Sequence, residues 1–83
     1  MDRYIIVSPH TDEECTQVVK DVGAMGYLTH FDWGCKGGEH TAWAIIEADN
    51  PAEALLSVPP SVRRLARAVK VVKFGPQEAK QHA

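Results

Sequence analysis

The stretch His40-Thr-Ala-Trp-Ala-Ile-Ile-Glu-Ala-Asp-Asn-Pro-Ala-Glu-Ala54 reads as a strand that runs directly into a helix. Asn50 suits an N-cap, Pro51 suits the first helical position, and Glu53 stands three residues beyond the cap. Within the strand, His40, Ala42, Ala44, Ile46 and Ala48 share one face, while Thr41, Trp43, Ile45 and Glu47 share the other. The small alanines suit close approach of a helix, which sends Trp43 to the opposite side of the sheet.

Working toward the N-terminus, Tyr27 to Trp33 alternates, with Tyr27, Thr29, Phe31 and Trp33 on one side and Leu28, His30 and Asp32 on the other. Gly34-Cys-Lys-Gly-Gly38 is a turn, so residues 27–33 and 39–48 are expected to pair as a hairpin. Before it, Cys15, Val18, Val19, Val22 and Met25 recur at helical spacing. Thr11-Asp-Glu-Glu14 is a capping-box pattern at the start of that helix, and Gly26 stops it. Residues 3–8 are a short β-branched run, expected as a central strand buried on both faces.

Toward the C-terminus, the second helix uses Ala54 and Leu55 and is ended by Pro59-Pro60. Ser61 can cap a further turn. Residues 67–74 form a last strand whose alternating lysines suit an edge. Gln77 to Ala83 is a polar tail, and His82 within it reads as a surface residue. The order is β-α-β-β-α-β, so the expected fold is α+β and ferredoxin-like. It has a four-stranded antiparallel sheet with both helices on one face, in one domain over residues 1–76.

A single domain of 83 residues has a thin core. Such a chain buries only about 60–65% of the surface its unfolded form exposes, and small domains often gain stability by oligomerising. The uncovered sheet face would carry Trp43 and other apolar side chains, and such patches mark interfaces or ligand sites. A homodimer through the open sheet face is therefore expected. A hydrophobic fraction of 45% against 24% charged residues excludes wholesale disorder. Net charge is −2, which argues against a nucleic-acid binder. The charge is lopsided: residues 1–60 hold three Lys/Arg against ten Asp/Glu, and residues 61–83 hold six against one. No apolar run reaches membrane-span length and no secretory leader opens the chain, so no membrane partner and a cytoplasmic location are expected. Cys15 and Cys35 lack C-x-x-C spacing and do not read as a disulfide framework.

With this architecture, the chain resembles small bacterial members of the dimeric α/β-barrel superfamily. The resemblance rests on Trp43-Ala-Ile-Ile-Glu-Ala-Asp-Asn-Pro51, with Ser8-Pro-His-Thr11, Gly34-Cys35, His40-Thr41 and Pro59-Pro60. It implies ferredoxin-like subunits paired through their sheets, often around a cavity. Proteins of this kind include cofactor-free monooxygenases, lactone isomerases, haem-degrading enzymes, stress proteins and a nickel-binding group. None of their catalytic residue sets maps onto this chain residue by residue.

The residues able to carry chemistry are His10, His30, Asp32, Cys35 and His40. Strand order brings His10, Asp32, Cys35 and His40 toward one end of the sheet. The leading reading is a small-organic-ligand binder, or a cofactor-independent enzyme of proton-transfer or isomerase type. There His10, Asp32 and His40 supply the acid–base groups, Phe31 and Trp43 the apolar walls, and Arg63 and Arg67 an anion contact. That reading needs no cofactor. The alternative is nickel or zinc held by His10, His30, Cys35 and His40. A structural or regulatory dimer without ligand is the third. Cys15, on the apolar stripe of its helix, reads as a small buried hydrophobe.

Overall fold

The Asn50 side chain accepts a hydrogen bond from the Glu53 N–H at 2.8 Å, and Pro51 opens the helix behind it. This junction ends β3 (Thr41–Ala48) and starts α2 (Pro51–Ala54) as the local chemistry requires. The computed structural model describes residues 1–81. The remaining elements are β1 (Asp2–Pro9), α1 (Cys15–Ala24), β2 (Phe31–Trp33), α3 (Pro60–Arg63), β4 (Arg67–Val71) and α4 (Pro76–Gln81). Over the described residues the fold is α+β: one four-stranded antiparallel sheet in the order β2-β3-β1-β4, with four short helices. No helix among the described residues is long and apolar enough to cross a membrane.

Register explains the core. Phe31 lies opposite Ala44, Ala44 opposite Ile6, and Ile6 opposite Ala68. One row thus runs across the covered face of the sheet. Tyr4, Ile6, Ala42, Ala44, Ile46 and Ala48 are buried there with Val18 and Val22 of α1, Ala54 of α2, Val62 of α3, and Val58. The alanines of β3 do lie under helical side chains, because a larger residue there would hold the two layers apart.

The structure differs from expectation in several places. The last strand, expected over residues 67–74, ends at Val71, and Ser61 lies inside α3, whose N-cap is Pro59, rather than capping it. β1 is buried on one face only, with Ile5 and Val7 half-buried on the other, because nothing among the described residues covers the second face. The strand expected from Tyr27 shortens to Phe31–Trp33, since Leu28–His30 coils into a 3-10 turn that leaves Leu28 44% exposed. The second helix is a single turn that tightens to 3-10 geometry over Leu55–Ser57, where the Ser57 hydroxyl donates to the Ala54 carbonyl at 2.8 Å.

The uncovered face is apolar at its centre. Its rows read Asp32-Trp43-Val7-Arg67, then Ile45-Ile5-Val69, then Glu47-Arg3-Val71. Ile45 and Val69 are exposed.

Candidate metal centre

β1 and β3 end and begin side by side. The ladder continues one step beyond the strands, where the His10 N–H donates to the His40 carbonyl at 3.0 Å. His10 and His40 therefore face each other on the helix-covered side, with ring centroids 5.8 Å apart. His10 is buried, and its ring stands edge-on to Trp33 at 6.1 Å.

The chain then turns into α1 through the expected capping box. The Thr11 N–H donates to the Glu14 carboxylate at 2.8 Å, and the Glu14 N–H donates to the Thr11 hydroxyl at 3.2 Å. The Thr11 N–H on the carboxylate first, and the Thr11 hydroxyl second, hold the Glu14 carboxyl below its ordinary range. The cap therefore contributes above the ordinary carboxylate pKa and is lost as pH falls through the lowered one. The box places Cys15 at the first position of α1, above the histidines.

Cys35 arrives from the other side, in the 3-10 turn between β2 and β3. Its Sγ lies 3.2 Å from His10 Nε2. Burial first, and then the hydrogen bond and charge of the Cys15 thiol, push the Cys35 thiol above its ordinary value.

The turn itself is spatially constrained. A Cβ on Gly34 would stand 2.6 Å from the Glu39 carbonyl oxygen and 3.0 Å from the Trp43 ring. Gly34→Ala is expected to cost about 1–3 kcal/mol through this overpacking. Gly37, with open space around its Cα, should accept alanine at little cost. Urea unfolding of the two variants checks the contrast.

One donor atom from each of His10, Cys15, Cys35 and His40 lies within 4.8 Å of the other three. This is the one group of its kind among the described residues, and it could hold a metal ion. Two further observations fit a metal. The Nδ1 atoms of both histidines are buried without a hydrogen-bond partner, a costly state that a ligand would relieve. His40 Nε2 also lies 3.3 Å from an Asp12 carboxylate oxygen. A carboxylate on one ring nitrogen orients the other for coordination. Asp12→Asn is expected to weaken metal affinity about 10–100-fold while leaving all four donors in place. Competition with a chromophoric chelator measures this.

The remaining expected site residues lie elsewhere. Asp32 is opposite Trp43 on the uncovered face, so the carboxylate beside His40 is Asp12. His30 is exposed in its 3-10 turn, packed edge-on to Tyr27 at 5.3 Å, and is not in the cluster. Phe31 is buried on the covered face and Trp43 lies on the other, so they do not wall one cavity. Arg63 donates twice to the Val58 carbonyl, at 3.0 and 2.7 Å, and ties down the loop before α3. Arg67 ends the row that begins at Asp32. His82 lies outside the described residues.

Cys15 is the member that reading the sequence missed. Its helical spacing matched a core residue, yet its position directly after the capping box and five residues from His10 is the signal for its place. The chain matches no protein-family model, no curated protein and no solved structure.

Proposed function

We propose that the protein binds a divalent transition metal, zinc in the first place, through His10, Cys15, Cys35 and His40. The observation that carries this reading is the convergence of two imidazoles and two thiols within 4.8 Å. Two soft sulfurs and two imidazole nitrogens in a compact group are a donor set that suits tetrahedral zinc. Four protein donors leave no open position on a tetrahedral ion, so the role is structural or metal-holding rather than Lewis-acid catalysis. The ion would join the end of β1, the first turn of α1, the turn after β2 and the start of β3.

Elemental analysis of protein purified without a histidine tag is the test. About one zinc per chain is expected, lost in His40→Ala. One nickel per chain would keep the site and change the ion. Metal retained equally by His40→Ala, or none at all, would remove the reading.

The strand order also supports a ferredoxin-like arrangement, and the uncovered face supports a homodimer. Across that face the row Asp32-Trp43-Val7-Arg67 is acidic at the β2 edge and basic at the β4 edge. A second copy related by a two-fold axis parallel to the strands would set each Asp32 over the other Arg67, with apolar rows between them. Trp43→Lys is expected to halve the mass seen by light scattering if this pairing forms. A monomeric parent protein would end the dimer reading.

A further inference from the structure

A cavity adjoins the metal cluster. It has a volume of about 530 Å³ and lies between α1, the 3-10 turn at Leu28 and the β2 end of the sheet. That volume falls within the range of small-molecule sites, about 300–1,000 Å³. Val19, Leu28, Phe31 and Trp33 make its apolar wall. Of the four cluster residues only Cys15 and Cys35 also line it.

Lys36 stands at the border. Among the described residues its ammonium forms no ion pair. Asp32 borders the cavity too, but strand alternation sends its carboxylate to the uncovered face beside Trp43. Phe31 and Trp33, two residues apart on the same side of β2, stand 5.9 Å apart with their rings tilted by 44°. This pair gives an aromatic guest an edge or a face to pack against.

We infer that this cavity binds a small planar aromatic acid, with its rings against Leu28, Phe31 and Trp33 and its carboxylate paired with Lys36. The geometry assigns the apolar body to the wall and the anionic group to the only unpaired cation on the border. The site goes beyond metal binding: it shares two residues with the cluster but takes its specificity from side chains the metal does not use.

The experiment uses Trp43→Phe protein, in which Trp33 is the remaining tryptophan. It is titrated with 2-naphthoate and, separately, with the neutral 2-naphthamide, in metal-free and zinc-loaded states. A saturable change in Trp33 emission with 2-naphthoate is expected. Lys36→Met should raise the naphthoate Kd about tenfold, leave naphthamide binding unchanged, and be restored by Lys36→Arg. No saturable response would overturn the site. Equal effects of Lys36→Met on the acid and the amide would overturn the assignment of the anionic group. Zinc bound stoichiometrically without any naphthoate response removes the cavity proposal alone. A naphthoate response in protein that takes up no zinc when zinc is added supports the cavity and removes the metal reading.

Discussion

Metal-loaded protein is expected to melt about 15–30 °C above the metal-free form when free zinc is about a thousandfold above its Kd. Linkage gives about 4 kcal/mol at that excess, and each kcal/mol moves the midpoint of a domain this small by about 4–8 °C. The effect is large because the core of so short a chain is thin and the ion would tie four segments together. Removing one donor should collapse the shift. Cys35→Ser replaces a soft thiolate by a hydroxyl that zinc binds poorly, so the variant should melt near the metal-free parent whether or not zinc is added. Its metal-free stability should stay close to that of the parent, because Cys35 is only half-buried. Scanning calorimetry on parent and variant, each with zinc and with chelator, separates the two contributions. An equal zinc shift in both would mean the ion binds elsewhere.

The second large effect lies at Ile6. It is fully buried in the middle of β1, flanked by Ala44 and Ala68 on the neighbouring strands and roofed by helical side chains. Small neighbours cannot expand to fill the space its side chain would leave, so Ile6→Ala leaves a cavity. The expected cost is about 2–5 kcal/mol, enough to lower the melting midpoint by about 10–30 °C. Ile45, on the uncovered face and 44% exposed, serves as the internal comparison. Ile45→Ala should cost less than about 1 kcal/mol in a dilute sample. Similar losses at the two positions would mean the second face is covered in solution.

How far the sequence could be read differs between fold and site for physical reasons. The Asn50 cap, the Thr11–Glu14 box and the turn at Gly34–Gly38 are local chemistry, and each closes its own hydrogen bonds within a few residues. The β3 alternation fixed which residues face the helices, since period-two patterning admits no other assignment. The Tyr27–His30 segment alternates just as cleanly, and β3 continues beside it from Ile45 to Ala48, yet Leu28–His30 takes a 3-10 turn instead of pairing. Periodicity states which face a residue takes only where the segment does pair.

At the site, His10 and His40 were traceable through strand order because both sit on the sheet. Cys15 and Asp12 were not. Asp12 lies in the β1-to-α1 connection and Cys15 at the first position of α1, and where both stand over the sheet end depends on helix placement. Asp32, two residues from His30 on a nominal strand, looked like the natural partner of His40. The single-residue alternation that separates it from Phe31 and Trp33 puts it on the wrong face.

His10 and His40 are direct neighbours across the β1–β3 ladder, and this has a consequence for how the chain reaches its native state. A slip of one residue between these strands would carry one imidazole through the sheet to the opposite side and scatter the donors. An ion that needs all four donors would hold only molecules paired in the correct alignment. The cluster thus acts as a proofreading clasp: in a small sheet with one bare face and little core to enforce alignment, capture of the ion would select the correctly zipped chain from its near misses.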